Sequence, residues 1–298
     1  AIMATRNIEN WKERLITILV TPFTTCSARL PVYLILISLV IPNDRILGAN
    51  LQGLVLMFFY LLGFVMALLA AFVLHKTLPK RQTSHFVVEM PNYRIPLLKN
   101  VVITIVEKTK SFVLEAGKII LAISILLWVM APNGPGSTFK NAPEIVAAQA
   151  EVTDANFDQK LSAYKLEHSY LGFVGKGIEP IIRPLGYDWK IGIAIVSSFA
   201  AREVFVGTLA TIYNVGDSSE ETIKNRMSAE TYADGTAVFN LASGLSLMVF
   251  YAFAMQCMST LAIVRKETNS WRWPAVQLVV MTVIAYLGAL ATFQYFSN

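Results

Sequence analysis

The sequence predicts an all-α fold, a polytopic transmembrane helical domain in which some of the membrane helices are interrupted. Three observations predict it. The 298-residue chain is 55% hydrophobic and only 15% charged, with a mean hydropathy of +0.53, whereas a soluble domain averages about 25% charged residues. Apolar runs of about 20 residues, enough to cross a bilayer, recur along its length. Several of those runs carry prolines, polar patches or charges at the depth where lipid would lie. In Ser197-Ser198-Phe199-Ala200-Ala201-Arg202-Glu203-Val204-Phe205-Val206-Gly207-Thr208-Leu209, an Arg and a Glu stand side by side within an apolar run from about Ile191 to Tyr213. Each such group costs at least about 2.5–3.5 kcal/mol at the centre of a membrane helix. The pair therefore implies partners that lock helices together or a polar, water-reachable cavity, and the cavity is the expectation taken forward.

Lys and Arg number 25 against 20 Asp and Glu, a formal charge of +5. In so apolar a chain this fits cytoplasmic loops facing anionic lipid. No basic run is interleaved with aromatics outside the apolar spans, which argues against nucleic acid as a partner. Two cysteines, Cys26 and Cys257, exclude a disulfide framework. The chain opens Ala1-Ile2-Met3-Ala4-Thr5-Arg6 without a signal peptide or an initiator methionine, and a fragment of a longer chain is expected.

Trp11 to Val20 has the pattern of an amphipathic helix. It meets Thr21-Pro22, where proline removes a helical hydrogen bond and biases the residue before it out of the helical region. The polar patch Thr24-Thr25-Cys26-Ser27-Ala28-Arg29 follows, and the apolar run resumes at Leu30-Pro31 and continues to Ile41. The whole reads as one helix broken near membrane depth, tolerated only where the exposed backbone is packed in protein or lines a cavity. Leu51 to Leu74 is the cleanest span. His75 to Asn100 is basic and reads as a cytoplasmic connector. Leu97 to about Ser111 predicts an amphipathic helix in the interface, and Phe112 to Met130 a span.

Residues 137–168 predict a net acidic soluble excursion with two short helices on the far side of the membrane. Tyr170 to Gly186, with Pro180 and Pro184, predicts a re-entrant or interfacial segment. The helix carrying Arg202 and Glu203 comes next, then a polar loop over Val215 to Thr236. Ala237 to Val264 is a span with the polar interruption Gln256-Cys257-Met258-Ser259-Thr260. Arg265 to Ser270 reads as a short charged turn and Pro274 to Phe296 as a last span. Four units result: 1–74, the first interrupted helix and the next span; 75–131, connector, amphipathic helix and span; 132–168, an extracytoplasmic loop; and 169–298, the second interrupted region and the last spans. Ala4-Thr5-Arg6 echoes Ala200-Ala201-Arg202, and each precedes a helix interrupted at a cysteine. Transporters built from internal repeats show this pattern, with substrate between the two interrupted helices.

Thiolate and thioether ligands suit soft or borderline cations, and carboxylates widen the range to Fe(II) and Mn(II). At membrane depth the candidates are Cys26, Cys257, Met255, Met258 and Glu203. That set suits a transiently bound divalent metal better than an alkali ion or a sugar. The sequence has no Cys-x-x-Cys and no His-x-x-x-His, which argues against a closed, permanent metal site. It also lacks a phosphate-cradling Gly-x-x-x-x-Gly-Lys-Ser/Thr and any convergent nucleophile arrangement, so the chain is not expected to be an enzyme.

The strings Ile2-Met3-Ala4-Thr5-Arg6, Pro22-Phe23-Thr24-Thr25-Cys26-Ser27-Ala28-Arg29-Leu30-Pro31-Val32-Tyr33 and Phe199-Ala200-Ala201-Arg202-Glu203-Val204-Phe205-Val206 resemble the gate motifs of the bacterial ferrous iron transport protein B (FeoB) family. So do the connector Glu89-Met90-Pro91-Asn92-Tyr93-Arg94-Ile95-Pro96, the turn Pro184-Leu185-Gly186-Tyr187-Asp188-Trp189, and Leu261 through Trp273. The resemblance runs in order over essentially the whole chain, and implies the latter part of a multi-pass domain in the bacterial inner membrane that imports Fe(II).

It implies further partners: an N-terminal GTPase domain of the same parent chain, through which alone GTP would act, small cytosolic FeoA- or FeoC-type proteins, and a homo-oligomer. Cys26 and Cys257 match the gate cysteines regarded as iron ligands, with Glu203 beside them and Met258 or Met255 assisting. Arg6, Arg29 and Arg202 would brace the broken helices or repel competing cations, and Pro22, Ser27 and Pro31 belong to the first gate. Members commonly carry proline directly before the second gate's cysteine; Gln256 holds that place here, so no proline breaks that helix. Two rival readings are a permease for a nucleoside or another divalent metal, and a non-transporting assembly domain whose buried charges act as helix glue.

Overall fold

The computed structural model describes residues 2–46, 49–78, 97–130, 133–134, 141–147, 161, 164–165, 167–199, 202, 204–212, 227 and 237–297. A 3-10 turn over Ile2–Asn7 leads to α1 (Trp11–Val20), whose N-cap Asn10 accepts from Lys12 N at 3.0 Å. Two further 3-10 turns, Thr21–Phe23 and Ser27–Arg29, separate α1 from α2 (Leu30–Val40). The two-residue strands Arg45–Ile46 and Ala49–Asn50 pair antiparallel just ahead of α3 (Leu51–Thr77). Then come α4 (Leu98–Met130), the short α5 (Ala142–Ala147), α6 (Tyr170–Ile182), α7 (Trp189–Ser197) and α8 (Val204–Ile212). The chain ends with α9 (Leu241–Phe253), α10 (Met258–Thr268) and α11 (Arg272–Ser297).

Among the described residues four stretches are long and apolar enough to cross a membrane: Trp11–Val40, Leu51–Thr77, Leu241–Thr268 and Arg272–Ser297. Two are interrupted near their middles, and these are the more enclosed. In their most apolar windows 39% and 61% of residues are buried, against 17% and 22% for the uninterrupted α3 and α11. The unbroken helices therefore form an outer wall. Phe58, Leu61, Phe64, Leu68 and Phe72 of α3 are all exposed at helical spacing, as a lipid-facing stripe requires. A buried core lies behind it, where Tyr33 stacks on Phe59 at 5.5 Å and Phe205 packs against Tyr251 at 4.7 Å.

Two close approaches fix this packing. Gly244 of α9 has no side chain because Val40 of α2 occupies that space. Gly186 ends the 3-10 turn Arg183–Leu185 with φ 78°, a left-handed conformation that disfavours side chains, and Phe293 of α11 fills the room a Cβ would need. Polar ties add direction. Tyr187 Oη lies 2.9 Å from Ser246 Oγ on α9, and that hydroxyl donates to Ala289 O on α11 at 2.9 Å.

The structure corrects three expectations. Residues 98–130 form one continuous helix, so Leu97–Ser111 is not a separate element lying ahead of a span. The run Ile191–Tyr213 is not one crossing helix: α7 stops at Ser197 and α8 starts at Val204. Arg265–Lys266–Glu267–Thr268 belongs to α10 and is not a turn. Residues 79–96 of the connector His75 to Asn100, and most of 137–168 and 215–236, lie outside the described residues. Tyr170–Ile182 is a 13-residue helix, about 20 Å at 1.5 Å per residue and too short to span about 30 Å of hydrocarbon.

Candidate functional site

A helix break strands backbone carbonyls that must find donors elsewhere. In the first break Arg29 supplies them. Its Nη2 donates to Pro22 O at 3.0 Å, and Nη1 points at Phe23 O and Thr24 O, each at 3.4 Å. Arg29 is 1% exposed, and its planar fork with several donors replaces the missing helical partners. Pro22 sits in the 3-10 turn Thr21–Phe23 and Pro31 in the first turn of α2, both where a missing N–H costs little. Cys26 is extended and exposed between them, and Ser27 beside it is exposed too. Gly63 of α3 presses on this break, since a Cβ there would meet Thr25 Oγ1 at 2.9 Å and Phe23 O at 3.1 Å.

The second break, 254–257, forms without proline. Ala254, Met255 and Gln256 are buried, and Cys257 is extended and half-buried, its Sγ 2.9 Å from Ser259 Oγ. A third break between α7 and α8 lies directly against it. Arg202, 5% exposed, donates from Nη2 to Ala254 O at 2.9 Å, and Met258 N donates to Phe199 O at 3.3 Å. The helical interruption at 198–202 is thus held by the interruption at 254–257.

Two buried arginines serve these breaks: Arg29 holds the carbonyls of the break that carries Cys26, and Arg202 holds Ala254 O, three residues before Cys257. Among the described residues, Arg29 Nε, Tyr33 Oη, Arg202 Nη1, Tyr251 Oη and both Gln256 amide atoms are buried without a hydrogen-bond partner. Tyr251 Oη lies beside the Ser198 hydroxyl and the Gln256 amide without a well-formed hydrogen bond to either. Among the described residues no three His, Cys, Asp or Glu side chains converge as a metal cage.

The remaining sequence candidates divide. Glu203 lies outside the described residues. Met255 is 1% exposed and packs in the apolar core, whereas Met258 is 38% exposed. Met258 opens onto a cavity of about 910 Å³ between α10 and α11, lined also by Leu261, Arg265, Trp271 and Leu278. Arg6 pairs with Glu267. It is exposed, its Nε donates to Glu267 Oε1 at 2.8 Å, and Arg14 Nη2 donates to Glu267 Oε2 at 2.7 Å. This network ties the chain's first 20 residues to the C-terminal turn of α10. Sequence reasoning missed Glu267, Tyr251 and Tyr33. Tyr33 carried a signal, because residues four apart share a helix face and Arg29 precedes it by four.

Chemically, the arrangement offers two thiols of different exposure, one in each cysteine-bearing interruption, with the second and third interruptions held together by Arg202 and Met258 N. Comparison with known proteins fits this geometry. A family model described as "Nucleoside recognition", the Gate family, matches residues 113–271, and one described as "Ferrous iron transport protein B C terminus" matches residues 56–108. A Fe(2+) transporter FeoB of Leptospira interrogans is 44% identical over 298 residues, covering 99% of this chain and 40% of the relative. One from Staphylococcus aureus is 35% identical over 289 residues, covering 96% and 37%. A Porphyromonas gingivalis protein named as a fusion of Fe(2+) transport protein A and FeoB is 33% identical over 308 residues, covering 96% and 35%. No solved structure matches the chain significantly. The chain spans about 40% of the length of the relatives it resembles best among these. By the family model matched over residues 113–271 the chain belongs to the Gate family, and it is similar almost end to end to the C-terminal part of the ferrous iron transport protein B relatives.

Proposed function

We propose that this chain is the permease part of a bacterial inner-membrane importer of Fe(II), which passes the ion through a polar site at membrane depth between the broken helices. The observation that carries this reading is the meeting of two interruptions, Arg202 Nη2 to Ala254 O at 2.9 Å and Met258 N to Phe199 O at 3.3 Å, next to the Cys257 thiol. Cys26, Cys257 and Glu203 serve as transient ligands, with Met258 or Met255 assisting. Soft sulfur donors with a carboxylate favour Fe(II) over alkali ions. An ion that must leave as well as enter needs weak, incomplete coordination. Arg29 and Arg202 brace the breaks.

The relatives named as Fe(2+) transporters support the substrate, and the fusion in Porphyromonas gingivalis supports a FeoA-type partner. Coupling to GTP belongs to an N-terminal domain of the parent chain. Uptake of Fe(II), Mn(II) and Zn(II) by the full parent protein with Cys26→Ser or Cys257→Ser tests the reading. Each change should lower Fe(II) uptake about tenfold and alter the order of the three metals. The Gate family's description as nucleoside recognition favours a second reading, an organic solute permease. Wild-type transport by both serine variants would select that reading over the first.

A further inference from the structure

The cavity between α10 and α11 is cationic at one end and apolar at the other. Met258, Leu261 and Arg265 line it from α10, and Trp271, Ala275 and Leu278 line it from α11. Spacings of three and four residues put each set on one helix face. Arg265 and Lys266 stand near the turn that joins the helices, with Leu261, Leu278 and Met258 progressively farther from it. From Met258 to Thr268, α10 rises about 15 Å at 1.5 Å per residue, the depth of one leaflet in about 30 Å of hydrocarbon. Two contacts say which leaflet. Lys12 Nζ, at the start of α1, donates to His75 O at 2.9 Å and Leu78 O at 2.6 Å at the close of α3. Glu267, at the close of α10, pairs with Arg6 and Arg14 just before and within α1. The α10–α11 turn thus lies at the end from which the basic connector leaves, and the positive-inside rule makes that end cytoplasmic. Within residues 265–272 Glu267 is the one anion, buried and turned to its two arginines, whereas Arg265 and Lys266 are exposed at the cavity. Arg265 is held over the Trp271 ring, 4.0 Å from its centroid. Its guanidinium carries five N–H donors whose fork fits phosphate oxygens.

We propose that this cavity of about 910 Å³ binds one anionic phospholipid of the cytoplasmic leaflet. The lipid phosphate accepts from Arg265 and Lys266, and one acyl chain follows the apolar strip between Leu261 and Leu278 toward Met258. Charge at headgroup depth with apolar side chains below it matches a lipid better than a soluble anion. Met258 follows Cys257 directly, so the end of the acyl chain lies against the second interruption. The site stands apart from the iron reading, since it requires neither iron nor nucleotide to fill.

The test is native mass spectrometry of the full parent protein released from nanodiscs that hold equal amounts of phosphatidylglycerol and phosphatidylcholine with identical chains, without iron or GTP. The wild type should keep one phosphatidylglycerol per chain after other lipids have been stripped. Arg265→Gln should lower that occupancy about fivefold, and Arg265→Lys, which keeps the charge, should hold it within about twofold. Ala275→Trp, at an exposed lining position, fills the apolar strip while leaving both cations, and should displace the lipid. Lys190→Gln, which removes a cation outside the cavity, should change nothing. Equal retention of the two lipids by the wild type would overturn the proposal, and is the result expected if another segment of the parent chain or a second copy covers the cavity. Wild-type retention of phosphatidylglycerol by Ala275→Trp would overturn it too. So would equal losses in Arg265→Gln and Lys190→Gln, the mark of unspecific charge. None of these outcomes bears on metal uptake, so failure here and failure of the permease reading remain distinguishable.

Discussion

Replacing Glu267 with glutamine should destabilise the fold more than its place in a charged run suggests. The carboxylate's side chain is 2% exposed and is shared by Arg6 and Arg14, whose side chains are 37% and 24% exposed. Glutamine can offer its oxygen to one arginine only, and then turns its NH2 toward the other, so a donor faces a donor where a 2.7 Å bond stood. Hydrogen bonds to charged groups contribute about 1.5–3 kcal/mol. The Arg14 bond, partly shielded, falls at about 2 kcal/mol, and solvent screening holds the more exposed Arg6 to about 1 kcal/mol or less. Glu267→Gln should therefore cost about 3 kcal/mol, more than a hundredfold in the folding equilibrium. Arg14→Gln should cost about 2 kcal/mol and Arg6→Gln about 1 kcal/mol. Equilibrium unfolding of the full parent protein in mixed micelles measures these values, and a double-mutant cycle isolates the Arg14–Glu267 coupling at about 1.5–2 kcal/mol. A Glu267→Gln protein within about 0.5 kcal/mol of the parent, or a coupling near zero, would refute the reasoning.

Arg29→Lys should cost about 2–3 kcal/mol in the same assay, because one ammonium cannot reach Pro22 O, Phe23 O and Thr24 O together. Gly244→Ala drives a methyl into Val40 and should cost about 1–3 kcal/mol. Gly53→Ala, which meets nothing within 4 Å, is the matched control and should be neutral in that assay. Gly186→Ala combines strain at φ 78° with a clash against Phe293 and should exceed the Gly244→Ala loss when both are compared by thermal unfolding.

The first interruption was legible because its cause is local. Pro22 and Pro31 bracket a polar patch, and proline acts on its own turn of helix. The second was half-legible: Gln256 and Cys257 are polar within an apolar run, yet nothing in Ala254–Cys257 forbids a helix. The third was not legible. Ser197 to Glu203 contains neither proline nor glycine, and its interruption coincides with a long-range bond from Arg202 to Ala254 O, 52 residues away. Glu267 was hidden for the same reason. Arg265-Lys266-Glu267 looks like a solvated charge run until Arg6, 261 residues earlier, covers it. The continuity of α4 was missed because the charges Glu107, Lys108 and Lys110 suggest an interfacial helix separate from the span, whereas charged residues need not interrupt a helix.

X-ray absorption at the iron edge, recorded under anaerobic conditions on the full parent protein loaded with Fe(II), tests most directly whether the cysteine-bearing interruptions form the ion's path. A sulfur shell around the iron that shrinks in each of Cys26→Ser and Cys257→Ser, and disappears in the double variant, is the predicted result. A first shell of oxygen and nitrogen alone in the wild type, unchanged in the double variant, would contradict the account.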